Sequence, residues 1–180
     1  LVERALARSV QADSVKVRRM ALQACLDRAA QACVAAATQQ LETETELSLQ
    51  ITILELIARR PGPDQVRALV AYAYSDDDAI RERAIALLGQ APVAPDAVGP
   101  IQSALVAKLG DGIAAVRAQA ARSLGLVMAT QSSLALVRLL DDPDPTVRGA
   151  AAESLGRLGD PRTTSALVRA LPRAGSAEIA

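Results

Sequence analysis

The sequence has no histidine, phenylalanine or tryptophan, and Tyr72 and Tyr74 are the only aromatic residues among its 180 residues. The absence of histidine removes the side chain that most often acts as a general base or metal ligand near neutral pH. The sequence also lacks a glycine-rich phosphate loop, a Gly-x-Ser-x-Gly motif and a cysteine beside an activating base. We therefore expect a protein that is not an enzyme and that uses no cofactor or metal.

The sequence lacks an excess of charge of either sign: 20 lysine and arginine residues balance 20 aspartate and glutamate residues. A protein that binds nucleic acid through phosphates usually carries a surplus of basic residues. No apolar run approaches the roughly 20 residues that span a bilayer, and no signal-like segment opens the chain. These absences predict a soluble, cytoplasmic protein that binds neither nucleic acid nor membranes.

Cysteine is scarce: Cys25 and Cys33 are the only two, eight residues apart in sequence that favours a helix. On one continuous helix they would lie about 12 Å apart along the axis, which is too far for a disulfide. We therefore predict two reduced thiols that serve as small buried apolar groups in a reducing compartment.

Small aliphatic residues dominate what is present, and hydrophobic residues make up 51% of the chain. This composition suits closely packed helices better than a β-sandwich. A short pattern recurs five times: an aliphatic residue, usually followed by arginine, with a small or aliphatic residue four places on and, in the clearest copies, Leu-Gly eight and nine places on. We call the first aliphatic residue the anchor, and the anchors are Val17, Leu49, Ile80, Val116 and Val147.

The anchors are 32, 31, 36 and 31 residues apart, a spacing that accommodates two short helices and two turns. Apolar residues fall at about +4, +7 or +8 and +11 after each anchor and at about −7, −10 and −11 before it, so each set forms one face of a helix. We expect each anchor to begin the inward face of the second helix. Such a period indicates a stack of repeated helix pairs. The predicted units are approximately residues 1–30, 31–60, 61–91, 97–128 and 131–159, with a partial unit at 160–180.

Turn chemistry supports this division. Asp144 followed by Pro145 predicts the start of a helix, and Gly159 predicts a left-handed helix end. The stretch Gln90–Pro100, which contains three prolines, accounts for the longest spacing and predicts a surface loop. Where glycine and proline are absent, Thr43–Glu46 matches a capping box and predicts a helix start.

The copy from Leu139 to Pro161, LLDDPDPTVRGAAAESLGRLGDP, resembles a bacterial HEAT repeat of the type also found in the phycobilin lyases. The similarity extends to the third and fourth copies and weakens in the first two, where Leu49 is followed by Gln50 instead of arginine. The resemblance implies an all-α, right-handed solenoid of about five stacked antiparallel helix pairs plus a partial sixth, with the second helices on the concave surface. It implies a scaffold that binds a protein partner there. The alternative is an accessory factor that helps to attach or remove a bilin chromophore.

Arginine follows the anchor in four copies, which would align these arginines as a ladder along one edge of the stack. One interpretation is a basic strip for an acidic partner or a phosphate. The other is that each guanidinium pairs with acidic residues of the inter-helix turns and caps carbonyls of a neighbouring unit. We favour the second because acidic residues lie nearby. The predicted ladder consists of Arg18, Arg81, Arg117 and Arg148, with Asp77 and Asp144 as acidic partners.

The exposed positions of the second helices carry both signs of charge, so a partner would be recognised by patterned polar contacts. Tyr72 is expected to pack between helices, and an exposed tyrosine would be a contact point. Neither end of the sequence shows the polar face of a terminal cap, so we expect either a segment of a longer solenoid or an end face that a partner covers; an uncapped end would allow self-association. The candidate partner-binding residues are Arg19, Glu82, Arg83, Gln119, Arg122, Glu153 and Arg157.

Overall fold

A computed structural model describes residues 2–28, 31–92 and 98–170 of the chain. Within these ranges the chain is a succession of α-helices and short turns, without a β-strand. None of these helices is both long and apolar enough to cross a membrane. The helices are α1 (Val2–Val10), α2 (Val15–Arg28), α3 (Gln31–Leu41), α4 (Leu47–Ala58), α5 (Pro63–Tyr72), α6 (Asp78–Gln90), α7 (Val98–Lys108), α8 (Ala114–Leu126), α9 (Ser133–Arg138), α10 (Pro145–Leu158) and α11 (Thr164–Ala170). Short 3₁₀ turns lie at Thr130–Ser132, Leu139–Asp141 and Pro161–Thr163.

Consecutive helices form pairs and the pairs stack, so the prediction of an all-α solenoid is confirmed. We call α2, α4, α6, α8 and α10 the second helices, and each of them packs against the next along the stack. From α3 onward the first helices of the pairs contact one another much less, whereas α6, α8 and α10 pack tightly. The tighter layer forms the inner side of a curved stack, which places α4, α6, α8 and α10 on that side; at the first junction the order is reversed, since α1 and α3 are in closer contact than α2 and α4.

Buried anchors form the centre of this core, as predicted, in four of the five copies. Leu49, Ile80, Val116 and Val147 are between 0% and 1% exposed. Val17 is 41% exposed, so the prediction that it begins an inward face is wrong. The side of α2 that corresponds to the covered side of the later second helices has no other second helix packed against it among the described residues.

The glycine of the repeated Leu-Gly pair lets neighbouring second helices approach closely. A Cβ atom added to Gly89 of α6 would lie 2.5 Å from Oγ and 2.8 Å from Cα of Ser123 on α8. Ser123 Oγ also donates a hydrogen bond of 2.9 Å to the carbonyl oxygen of Ile85. Gly125 and Ser154 repeat the arrangement between α8 and α10, with a serine-to-carbonyl bond of 2.8 Å. The motif therefore provides a notch on one helix and a small hydroxyl side chain that fills it from the next.

Two helix ends follow the predicted turn chemistry. Asp144 caps α10, since its carboxylate accepts the N–H of Thr146 over 2.8 Å, and Pro145 is the first helical residue. Gly159 ends α10 in the left-handed conformation, with φ of 60°. The capping box predicted at Thr43–Glu46 is wrong, because α4 begins after Glu46 and no side chain caps it.

The predicted surface loop at Gln90–Pro100 is shorter than expected. Helix α6 extends through Gln90, and α7 begins at Val98, so Pro100 is the third residue of a helix, where proline is tolerated. Residues 93–97 of this loop lie outside the described ranges. At the other end, α11 lies in the partial unit predicted at 160–180, and residues 171–180 of that unit also lie outside the described ranges.

The turn after α8 holds a non-glycine residue in the left-handed region, Met128, with φ of 52°. Gly159 occupies the equivalent position after α10, twelve residues beyond the anchor. An L side chain in this conformation costs about 1 kcal/mol relative to glycine, and Met128 is 56% exposed, so little packing would be lost. We expect Met128→Gly to raise the free energy of unfolding by about 1 kcal/mol in urea denaturation. Met128→Ala keeps the Cβ atom and is the control; equal stability of the two variants would contradict the explanation.

Cys25 and Cys33 form a disulfide, which contradicts the prediction of two reduced thiols. Helix α2 ends at Arg28 and α3 begins at Gln31, so the cysteines lie on different helices with Cα atoms 5.9 Å apart. The prediction failed because it assumed one continuous helix through a stretch without glycine or proline. Both side chains are fully buried, and their bond links the first helix pair to the second.

Loss of this cross-link should lower stability measurably. With a sequence separation of 8, loop-closure entropy predicts a loss of about 2.5 kcal/mol in the free energy of unfolding. The cleanest comparison is urea denaturation of the same chain with and without a strong reductant, because the side chains stay identical. The Cys25→Ala/Cys33→Ala variant should be insensitive to the reductant. If reduction leaves the wild-type midpoint unchanged, the disulfide does not contribute as described.

Candidate functional site

One side of each second helix forms a stripe that is largely exposed on the inner side of the stack; Ala86 and Ala150 are the buried residues within it. Positions −1, +3, +6 and +10 relative to the anchor lie within about 60° of one another around a helix of 3.6 residues per turn. On α8 these positions are Ala115, Gln119, Arg122 and Leu126, and all four are exposed or half-buried. We call the five stripes together the inner surface.

Most of the predicted partner-binding residues lie on this inner surface. Arg83, Gln119, Arg122, Glu153 and Arg157 occupy positions +3, +6 or +10. The remaining two candidates, Arg19 and Glu82, stand at position +2 and therefore face the side of the stripe rather than its centre.

Hydrogen bonds occupy many of these side chains. Arg83 of α6 forms an ion pair with Glu55 of the neighbouring α4. The sequence reasoning missed Glu55, although it stands at position +6 of its helix and so belongs to the inner surface. Arg157 pairs with Glu153 on the same helix over 2.8 Å. The inner surface therefore carries salt bridges of its own, and pairing with a partner would have to compete with them.

The predicted ladder arginines occupy the fourth residue of four second helices. Each of them donates a hydrogen bond from Nη1 to the main-chain oxygen six residues earlier, in the turn of its own helix pair. These bonds measure 2.9, 2.7, 2.9 and 3.0 Å for Arg18, Arg81, Arg117 and Arg148. The prediction that the guanidiniums cap carbonyls of a neighbouring unit is therefore wrong for these bonds, because the side chain folds back over its own turn.

Three of the arginines also reach the turn of the following pair, where a carboxylate stands five residues before the next anchor. Arginine and carboxylate are largely buried in each case, and each arginine donates from two nitrogens to the two carboxylate oxygens. Each arginine thus joins two successive turns. The pairs, with their Nε to carboxylate distances, are Arg18–Glu44 (2.7 Å), Arg81–Asp111 (3.0 Å) and Arg117–Asp142 (2.8 Å).

The predicted acidic partners have a different role. Asp77 accepts the N–H of Ile80 over 2.9 Å, and Asp144 caps α10 in the same way. Both stand immediately before a second helix, where the helix N–H groups occupy the carboxylate. The ladder therefore exists, but the carboxylates that link successive pairs come from the following pair along the stack; Arg81 also pairs with Asp78 on its own helix.

Where the ladder is interrupted, both the arginine and its carboxylate partner are replaced by uncharged residues. In α4 the ladder position is Gln50, whose Nε2 still donates to the carbonyl oxygen of Glu44, six residues earlier, over 2.6 Å. In the next turn, the position five residues before Ile80 is Ser75 instead of a carboxylate. Ser75 Oγ accepts the N–H of Asp77 and so keeps the turn closed. Charge is absent from both partners at this junction, as expected if the pair acts as a unit.

The ladder changes the protonation of its carboxylates. Burial raises the pKa of Glu44, but hydrogen bonds from Arg18 and the backbone outweigh it, so the pKa of Glu44 lies below its usual value. The same balance lowers the pKa of Asp111. At Asp142 the hydrogen bond from Arg117 is the largest influence and lowers the pKa. All three groups remain ionised at neutral pH.

Acid should therefore weaken the stack through these carboxylates. Unfolded aspartate and glutamate titrate near pH 4, and the folded pKa values are lower, so the unfolded chain binds more protons there. This contribution to the free energy of unfolding is fully present above about pH 5 and is lost as the pH falls through the folded pKa values. We expect urea midpoints to decline below about pH 5, and less steeply for Asp142→Asn than for the wild type. Asp64→Asn, which alters an exposed carboxylate, is the control; equal slopes for Asp142→Asn and the wild type would contradict the assignment.

The two tyrosines differ in environment. Tyr72 packs between helices as predicted, and its hydroxyl donates to the carbonyl oxygen of Leu41 over 2.7 Å. Burial raises the pKa of Tyr72. Tyr74 is exposed, with Lys108 Nζ 4.3 Å from the centre of its ring.

Comparison with known proteins supports the resemblance to HEAT repeats. Residues 102–179 match the family model of HEAT repeats. The crystal structure of an engineered protein superposes with a TM-score of 0.64 at 21% sequence identity, covering 96% of this chain and 86% of that chain. This likeness shows the fold alone. No curated protein matches the sequence.

Proposed function

We propose that this protein is a non-enzymatic scaffold that binds a protein partner on its inner surface. HEAT repeats generally act as protein-interaction scaffolds, and the chain matches them over residues 102–179. The observation that carries the proposal is that some repeated positions are buried and hold the stack together, whereas others are exposed on one side. Four of the five anchors, Gly89, Gly125 and the ladder arginines Arg18 and Arg81 are buried in the stack, whereas the exposed residues at positions −1, +3, +6 and +10 present mixed charges along one side. Stacked units of this kind offer an extended binding surface without a catalytic centre.

Charge reversal on the inner surface tests this proposal. Affinity capture followed by mass spectrometry would compare the wild type with an Arg83→Glu/Arg157→Glu variant. The matched control is Arg67→Glu/Arg138→Glu, which reverses two exposed arginines on first helices. We expect proteins captured by the wild type and the control to be lost from the inner-surface variant. Capture that is equal in all three samples would place binding elsewhere and contradict the proposal.

The bilin-related alternative makes a separate prediction. A chromophore accessory factor would bind a free bilin and shift its visible absorption, whereas a scaffold for proteins would leave the spectrum unchanged. Titration of a bilin with the purified chain, followed by absorption spectroscopy, distinguishes the two.

A further inference from the structure

One charged side chain stands alone in the middle of the inner surface. Among the described residues, Arg122 is exposed and its side chain forms neither a hydrogen bond nor an ion pair. Its counterparts at position +6 are engaged: Glu55 pairs with Arg83, and Glu153 pairs with Arg157. The centre of the surface therefore carries one uncompensated positive charge between two neutralised pairs.

An apolar side chain accompanies this charge on the same helix. Leu126 stands four residues after Arg122, on the same face of α8 and about 6 Å further along the axis, and is 42% exposed. On the neighbouring α6, position +6 is Ala86, whose side chain ends at Cβ and leaves Arg122 accessible from that side. A cation and an exposed leucine are thus presented together.

We infer that this site binds a protein segment carrying a carboxylate side chain and an apolar side chain about 6 Å apart. This inference rests on the proposed scaffold function and adds the chemistry of the partner. Residues i and i+2 of an extended chain point to one side and lie about 6.6 Å apart, and residues i and i+4 of a helix rise by about 6 Å. The pattern recognised is therefore an acidic residue and an aliphatic or aromatic residue separated by two positions in an extended segment or by four in a helix.

Charge complementarity favours a protein segment over a nucleic acid. The arginines of the neighbouring second helices, Arg83 and Arg157, are already paired with Glu55 and Glu153, so a phosphate chain would meet Arg122 as an isolated cation between occupied ones. A carboxylate beside an apolar side chain uses both features of the site. The apolar contact also partly shields the ion pair from water, which strengthens it.

Selection from a random 12-residue peptide display library tests the inference directly. Peptides enriched on the wild-type chain should contain Asp or Glu two or four residues from an apolar residue. In fluorescence anisotropy with one such synthetic peptide, Arg122→Ala and Leu126→Ser should each weaken binding about fivefold or more. A peptide with lysine in place of its acidic residue should bind Arg122→Glu better than it binds the wild type. Arg138→Ala, on a first helix, is the control and should bind as the wild type does.

The outcomes separate this inference from the broader proposal. Peptides that bind the inner surface equally well in wild type and Arg122→Ala would overturn the inference while leaving the scaffold function intact. A selection that yields no acidic-apolar pattern would also overturn it, whatever the capture experiment shows. Circular dichroism of each variant confirms that the fold is unchanged, which is expected because Arg122 and Leu126 are exposed.

Discussion

Replacement of Arg18 by methionine is expected to lower the free energy of unfolding by about 3–5 kcal/mol, because it leaves a buried carboxylate without its partner. The side chain of Glu44 is 0% exposed and accepts hydrogen bonds from Nε and Nη2 of Arg18 at 2.7 and 3.0 Å. Methionine retains most of the apolar volume of the arginine stem, so the loss in the free energy of unfolding reports on the guanidinium group alone. Urea denaturation at pH 7 measures the effect.

The second partner provides the control for this prediction. In the double variant Arg18→Met/Glu44→Gln, an uncharged amide replaces the unpaired buried carboxylate. The amide oxygen can still accept the N–H of Glu46, as the Glu44 carboxylate does over 3.1 Å. We expect the double variant to recover at least half of the loss, since replacing both members of a buried pair is far less costly than removing one. Arg138→Met, an exposed arginine, should change stability by less than about 0.5 kcal/mol. A loss below about 1 kcal/mol in Arg18→Met would contradict the role given to the pair.

The sequence pattern predicted the arginines of the ladder but not their acidic partners. The recurrence of arginine after the anchor correctly indicated a structural ladder, because fixed spacing places equivalent residues at equivalent points of each pair. The acidic partners were assigned to Asp77 and Asp144, which are close in sequence but act as helix caps. A usable signal was present in the carboxylates of Glu44 and Asp111, which stand five residues before an anchor. Contacts in a stack join residues about one repeat apart, so proximity in sequence misled the assignment.

The first two pairs deviate from the pattern for a different physical reason. The sequence between α2 and α3 contains neither glycine nor proline, so the sequence pattern did not indicate that two helices meet there. The disulfide between Cys25 and Cys33 requires that the two cysteines lie on different helices, and it was therefore not predicted. The composition of the inner surface followed from helical period alone, since the exposed stripe repeats with each anchor. Which of its charges are paired depends on side-chain geometry across helices, and so the isolation of Arg122 emerged only from the structure.

The same substitution at two equivalent glycines should have opposite effects on stability. Gly89→Ala places a Cβ atom 2.5–2.8 Å from the side chain and backbone of Ser123, so α6 and α8 must move apart. Overpacking of this kind costs more than the helix propensity gained, and we expect a net loss of about 2 kcal/mol. Gly156→Ala meets no atom within 4 Å among the described residues and should gain about 0.5–1 kcal/mol.

This comparison isolates packing from propensity, because both glycines stand nine residues after an anchor and both are helical. Thermal and urea denaturation of the two variants should therefore move in opposite directions, with a difference of about 3 kcal/mol between them. Gly125→Ala, whose Cβ atom would lie 2.9–3.1 Å from Ser154, should fall between them. If both Gly89→Ala and Gly156→Ala stabilise the chain, the second helices can separate at little cost, and the Leu-Gly motif does not fix their spacing. If the loss is confined to Gly89→Ala and is partly recovered by Ser123→Gly, close approach of the second helices is what the repeated glycine provides.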